Sequence, residues 1–261
     1  MNAIKNMTIR VLRRILPENI RKSIFHLSFH LAREEYEKFA HLYSNAPNMY
    51  LGLSAMTERG FRPATVVDVG AFMGDWGKQA KRTWPSCKLI MIEPNLAKQE
   101  VLAEIARGLD ADLFCELLGA QDGREVQFHV MESGSSVMAE RSAVLRTTET
   151  RRLCTLDSLL SSVKTPAFLK IDAQGYELEI LKGAAKILPA FEAVLLEVAT
   201  IEINIGAPLL HEVTTFMKDR GFVAYDILEI HRRPLDRALN QVDIVFISER
   251  SRLLSDKRHF A

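Results

Sequence analysis

From Thr65 onward the chain alternates short apolar runs with stretches of helical period. Thr65-Val-Val-Asp-Val69 is almost continuously apolar, which predicts a strand buried on both faces. A helix is predicted over Trp76–Trp84, a strand over Lys88–Ile92, and a helix over Leu96–Ile105. Strands follow over Leu113–Leu118 and, past the turn Gln121-Asp-Gly123, over Glu125–Val130. Then come a helix over Leu156–Val163, a strand over Ala167–Ile171, and a helix over Tyr176–Lys182 stopped at Gly183. The pattern ends with a strand at Ala193–Val198, a helix at His211–Arg220, and strands at Phe222–Ile227 and Val242–Ile247. Strands alternating with helices imply an α/β fold whose mainly parallel sheet is covered by helices on both faces.

Upstream the pattern differs. Ile4, Val11, Leu12 and Ile15, then Ile20, Ile24, Leu27 and Leu31, recur at helical spacing, with Pro17 near the start of a second helix. Lys5, Arg10, Arg13, Arg14, Arg21 and Lys22 oppose only Glu18 in this stretch. Two readings stand: a helical extension packed on the core with a solvated basic face, and peripheral contact with an anionic membrane surface. A further helix, Leu51–Arg59, ends at Gly60. The expected organisation is a helical extension over 1–60, an α/β domain over 61–250 and a tail over 251–261.

Bulk composition adds limits. Hydrophobic residues make up 48% and charged residues 26%, enough to fill one sizeable core. Lys plus Arg number 34 against 33 Asp plus Glu, a balance that argues against a general nucleic-acid binder. Cys87, Cys115 and Cys154 are widely spaced and form no C-x-x-C, as expected of reduced thiols. No apolar run approaches the roughly 18 residues of a membrane span, and the Ser23–Leu31 stretch lacks a cleavage site. The expected location is the cytoplasm, with the inner membrane surface as the second option offered by the basic segment.

In sheets of this kind ligands bind beyond the carboxyl ends of the strands. The loop after the first strand, Asp68-Val-Gly70-Ala71-Phe72-Met-Gly74-Asp-Trp-Gly77, has glycines that let the backbone turn and approach a ligand. It is not G-x-G-x-x-G, because Phe72 stands where the second glycine would be. Glu93 follows the second strand, about 25 residues after Asp68, the spacing of an acid that accepts hydrogen bonds from ribose hydroxyls. Asp122 either accepts from the exocyclic amine of a base or belongs to a plain Asp-Gly turn.

Asp172 ends a central strand, where a reacting group is placed. Lys170 either points into the cleft or pairs with an acid, since an unpaired buried ammonium is costly. Glu197 ends the neighbouring strand, so Asp172 and Glu197 either grip a substrate hydroxyl or a cation together, or stand as separate strand-end acids. Glu177 is a substrate-binding candidate whose place in a first helical turn also suits an acid on its own. His231, in the polar segment His231-Arg-Arg-Pro-Leu-Asp-Arg237, is either a general base or a surface histidine. The seven histidines show no metal-binding spacing, so no metal site is predicted, and a divalent cation at Asp172 and Glu197 is the less favoured reading.

These residues resemble the FkbM family of S-adenosylmethionine (SAM)-dependent methyltransferases. The resemblance lies in Val67-Asp-Val-Gly-Ala-Phe-Met-Gly74, Ile92-Glu-Pro-Asn95, Thr155-Leu-Asp-Ser-Leu159, and Leu169-Lys-Ile-Asp-Ala-Gln-Gly-Tyr-Glu-Leu-Glu-Ile-Leu-Lys-Gly-Ala184. Leu196-Glu-Val198 and Val242-Asp-Ile-Val-Phe246 extend it. It implies a class I methyltransferase, Rossmann-like fold with a seven-stranded sheet whose last strand is inserted antiparallel. It further implies methyl transfer to a hydroxyl of a sugar, glycan or secondary metabolite. Asp68, Gly70 and Gly74, with Ala71 and Phe72 between them, would line the methionine part of SAM, Glu93 would hold its ribose, and Asp172 would lie near the transferring methyl. The family usually has Asn at the position of Phe72 and Glu at that of Gln174. The first departure keeps a non-catalytic cofactor- or partner-binding domain as the alternative. Acceptor specificity is expected in the loops Ser133–Thr150 and His231–Asn240.

Overall fold

The computed structural model describes residues 16–20, 23, 46–132, 134–142 and 144–259. The chain forms two compact units, 1–46 and 47–261. In the first, residues 18–20 and 23 are helical and exposed. The rest of the basic amphipathic segment, and with it the membrane reading, lies outside the described residues. Among the described residues no helix is long and apolar enough to cross a membrane.

The second unit opens with helix α1 (Met49–Glu58), whose first turn is capped by Asn48 Oδ1 accepting from Leu51 N at 3.0 Å. Met49, Leu53 and Met56 fall on one face and are buried. Full burial of side chains of this size contributes about 1.5–3 kcal/mol each. The main elements that follow are β1 (Thr65–Val69), α2 (Asp75–Thr83), β2 (Lys88–Ile92), α3 (Gln99–Leu109), β3 (Ala111–Phe114), β4 (Leu117–Leu118), β5 (Glu125–Val130), β6 (Thr147–Cys154), α4 (Leu156–Leu159), β7 (Ala167–Ile171), α5 (Glu177–Lys182), β8 (Phe191–Ala199), α6 (Leu210–Lys218), β9 (Phe222–Arg232) and β10 (Leu239–Ser248).

Seven strands form the main sheet in the order β3-β2-β1-β7-β8-β10-β9. β10 is inserted between β8 and β9, antiparallel to both, while β3, β2, β1, β7 and β8 run parallel. This is the class I methyltransferase arrangement. β1 and β7 are buried throughout, as their apolar runs predict. Alternate residues feed two cores: Val67, Val69, Leu169 and Leu196 on one face, and Val66, Phe168, Leu195 and Val245 on the other. Phe61, Trp76, Trp84 and Phe168 pack together in the second core, Trp76 stacked on Phe168 and Phe61 edge-on to Trp84.

Two expected elements differ, and one strand is additional. The single strand over Leu113–Leu118 is two: β3 in the main sheet, and β4, which joins a small sheet of order β4-β6-β5. β6 was not predicted, because its sequence Thr-Thr-Glu-Thr-Arg-Arg-Leu-Cys is mostly exposed and shows no apolar alternation. The helix over Leu156–Val163 is a single turn, Leu156–Leu159.

Candidate active site

The parallel strands end in a row of loops that carry most of the singled-out residues. Gly70 follows β1 with φ +77°, and a Cβ there would meet the Asp172 carbonyl oxygen at 1.9 Å, so only glycine allows the loops after β1 and β7 to approach this closely. Phe72 adopts the left-handed region at φ 47°, a strained conformation for a residue with a side chain. Its N–H donates to Glu93 Oε2 at 2.8 Å, while Asn95 N donates to Oε1 at 2.8 Å. Glu93 is buried, which raises its pKa, opposed by those two N–H donors.

A cavity of about 210 Å³ lies over this floor. Gly70, Phe72, Glu93 and Asn95 line one side, Leu117, Leu118, Phe128 and Ile180 form an apolar wall, and Ser135, Ser136 and Asp172 close it. Of the seven cofactor candidates, Gly70, Phe72 and Glu93 therefore line the cavity. Asp68, Ala71 and Gly74 do not line it: Asp68 and Ala71 are buried, and Gly74 is the left-handed cap of α2 against Leu102 and Ile105. Asp122 is elsewhere. Its carboxylate accepts from Thr155 N at 2.6 Å and from Ser158 Oγ at 2.7 Å, so it ties the turn to the start of α4, and these bonds lower its pKa.

Asp68 and Lys170 are paired in register on adjacent strands and are both buried. Lys170 Nζ lies 3.2 Å from Asp68 Oδ1 and 3.5 Å from Asp172 Oδ2, and it donates to the Gly70 carbonyl at 3.0 Å. Burial alone would lower the ammonium's pKa, but the Asp68 and Asp172 carboxylates outweigh it and the net shift is upward. Burial raises the pKa of Asp68, and Lys170 opposes that shift. Both sequence readings of Lys170 hold: it pairs with acids and it lines a second cavity.

That second cavity, about 260 Å³, is bounded by Asp75, Trp76, Lys170, Asp172, Glu197, Glu229, His231 and Asp243. Asp172 is common to both cavities. Gln174, left-handed at φ 53°, donates from Nε2 to Asp172 Oδ1 and to Glu197 Oε2, both at 2.8 Å, so an amide bridges the two acids. Burial, then the nearby Asp172 and Asp243 carboxylates, push Glu197 well above the ordinary range. His231 is not in a loop, since β9 runs to Arg232, and its Nε2 lies 3.3 Å from Asp243 Oδ2. The hydrogen bond to Asp243 raises its pKa.

Glu177 does not line either cavity. Its Oε1 accepts from Ala173 N at 2.9 Å and Gly175 N at 3.0 Å, clasping the loop that carries Asp172 and Gln174. Burial pushes its carboxyl up to about 7 against those N–H donors. Glu116, Asp243 and Glu229 are site residues that the sequence reading did not single out. Asp243 had a signal: it is the one charge within the apolar run Val242–Ile247.

The methyltransferase FkbM domain model matches residues 68–224. No match was found among curated proteins. Among solved structures, the chain is similar to a methyltransferase FkbM from Methylobacillus flagellatus KT at 15% identity and a TM-score of 0.46, covering 69% of this chain and 43% of that one. A putative RNA methyltransferase from Pyrococcus horikoshii is 15% identical, with a TM-score of 0.44 over 76% of this chain and 82% of that one. The magnesium protoporphyrin IX methyltransferase of Synechocystis PCC 6803, with bound SAM, is 8% identical, with a TM-score of 0.45 and 76% of each chain covered. The chain thus spans less than half the length of the Methylobacillus protein. The family match runs from Asp68 of the β1 pair into β9, over more than half of the sequence, and by it the chain belongs to the methyltransferase FkbM domain family.

Proposed function

We propose that the chain is a SAM-dependent O-methyltransferase acting on a hydroxyl of a sugar, glycan or secondary metabolite. The observation that carries this reading is that Asp172 lines both cavities, so a donor on one side and an acceptor on the other would meet at its carboxylate. The first cavity fits SAM. Its apolar wall suits a flat base, Glu93 is held by two backbone N–H groups with lone pairs left for ribose hydroxyls, and Gly70 keeps Cβ bulk out of the loop.

SAM supplies an electrophilic methyl, and transfer breaks its sulfur–carbon bond as the oxygen–carbon bond forms. The chain's own part is to align, desolvate and remove one proton. Asp172 takes the proton of the acceptor hydroxyl. Gln174 on Oδ1 and Lys170 beside Oδ2 fix the orientation of its carboxylate. Glu197, Glu229 and Asp243 offer acceptor oxygens for further hydroxyls, as a polyol needs.

The test is transfer of a labelled methyl group from SAM to a panel of sugar, glycan, phenol and amine acceptors. Transfer to hydroxyl acceptors is expected. The same carboxylates would hold a protonated amine, so transfer to amines alone would overturn the O-methyl assignment. SAM binding without transfer to any acceptor would favour the non-catalytic domain.

A further inference from the structure

The second cavity holds a set of side chains that methyl transfer does not require. Asp243 on β10 is in register with Glu197 on β8 and with Glu229 on β9, so three carboxylates stand side by side across three strands. Like charges directly opposite on a sheet are destabilising unless something positive lies between them. The nearest ammonium, Lys170, is engaged by Asp68, Asp172 and the Gly70 carbonyl.

His231 supplies a nitrogen to this row. Its Nε2 lies 3.3 Å from Asp243 Oδ2 and 3.7 Å from Glu229 Oε2. These separations are long for charge-assisted hydrogen bonds, yet they are the spacing of neighbouring ligands on one ion with bonds of about 2.0–2.2 Å. One ligand atom from each of Glu197, His231 and Asp243 lies within 4.8 Å of the others. Glu197 is held from behind: Gln174 Nε2 and Gln241 Nε2 both donate to its Oε2 at 2.8 Å, and its Oε1 accepts no hydrogen bond from any described residue. Amide partners that orient a carboxylate while leaving one oxygen open are a characteristic outer shell of a metal ligand.

We propose that Glu197, His231 and Asp243 bind one divalent cation of the Mn²⁺ or Zn²⁺ class in the second cavity, with Glu229 as a nearby fourth carboxylate. One imidazole with two carboxylates favours these ions over Mg²⁺ and Ca²⁺, which prefer oxygen alone. The remaining positions on the ion would face the cavity beside Asp172, open to water or to an acceptor oxygen. That last role rests on the methyl-transfer reading; the binding site itself does not.

The full chain, stripped with a chelator and checked for folding by circular dichroism, is titrated calorimetrically with MnCl₂, ZnCl₂ and MgCl₂, and separately with SAM. One Mn²⁺ or Zn²⁺ per chain is expected, with Mg²⁺ at least about 10-fold weaker, and His231→Ala and Asp243→Asn each weakening Mn²⁺ by about 10-fold or more. Folded wild-type protein that binds SAM but neither Mn²⁺ nor Zn²⁺ overturns the metal site and leaves the methyl-transfer reading intact. Cation binding that both variants leave unchanged also overturns it. Wild-type protein that binds the cation as described but not SAM supports the metal site and counts against the methyl-transfer reading alone.

Discussion

The two cavities share Asp172 and differ in almost everything else. The first is walled by Leu117, Leu118, Phe128 and Ile180, and the carboxylate at its floor, Glu93, is oriented by two backbone N–H groups, one on each oxygen. The second sets five acids, one lysine and one histidine among neighbours such as Met49, Trp76 and Leu195, with carboxylates placed directly opposite one another across the sheet. An apolar slot beside an anchored acid offers a dry surface for a flat ring and an acceptor for hydroxyls, which is what the proposed cofactor's nucleoside needs. A cavity of facing acids gains from a ligand that brings donors or positive charge. The division follows from strand alternation. The wall of the first cavity belongs to the core that holds Val67, Val69 and Leu169, and Trp76 and Leu195 of the second belong to the opposite core.

The largest expected effect breaks the link between the two regions. Asp172→Asn should lower turnover by about 100-fold or more, as for loss of a positioned proton acceptor, while SAM affinity changes little. Steady-state kinetics beside calorimetry read the two separately, and an unchanged rate would remove Asp172 from proton transfer. Next is the buried cation of the second cavity, Lys170. Lys170→Met leaves Asp68 buried without its partner and should cost about 3 kcal/mol or more in denaturant unfolding. A loss below about 1 kcal/mol would show that Asp68 finds another partner or is neutral.

Glu177 gives a pH-dependent effect of similar size. Its carboxyl sits at about 7 in the fold, against about 4.3 in an unfolded chain. A raised carboxyl stabilises fully below the unfolded value, and that stability is lost as pH rises through the folded one. Between roughly pH 4.5 and 7 the loss is on the order of 3 kcal/mol. Glu177→Gln keeps an acceptor for Ala173 N and Gly175 N but cannot titrate. Its unfolding free energy should therefore fall less than that of wild type across this window, and parallel curves would contradict the assignment. The smallest effect is at Phe72. Asn tolerates the left-handed region better, so Phe72→Asn should gain stability of about 1 kcal/mol, reduced by loss of the Lys98 ammonium contact 4.7 Å from the ring centroid. A lower melting temperature for this variant would mean that the ring contact outweighs the strain.

The strand-end residues of the first cavity were legible in the sequence, its apolar wall was not, and the second cavity was legible only in part, for physical reasons. β1, β2 and β7 are buried along nearly their whole length, so each appears as an apolar run carrying one charge (Asp68, Lys88 or Lys170), and the residue after the run lines a cavity by topology: Gly70, Glu93 and Asp172. Of the acids of the second cavity, Glu229 and Asp243 sit within the antiparallel strands β9 and β10, and Glu197 lies late in β8 where β10 pairs with it. Glu229 and His231 lie on the part of β9 that continues past the predicted end at Ile227, where exposed alternation mimics a polar loop. Their proximity to Glu197 depends on β10 being inserted between β8 and β9, a long-range pairing that local pattern does not encode. Asp122 shows the opposite failure. An acid in the right segment was open to a ligand role, but Thr155 and Ser158, more than thirty residues away in sequence, take its hydrogen bonds.

The most direct test of the account is isothermal titration of the full chain and of Glu93→Ala with SAM, S-adenosylhomocysteine and NAD. One-to-one micromolar binding of SAM and S-adenosylhomocysteine, no binding of NAD, and at least about 10-fold weaker SAM binding by Glu93→Ala is the predicted result, since loss of charge-assisted bonds to a diol costs about 1.5–3 kcal/mol each. Binding of NAD in place of SAM, or SAM affinity unaltered in Glu93→Ala, would contradict the assignment of the first cavity to the cofactor.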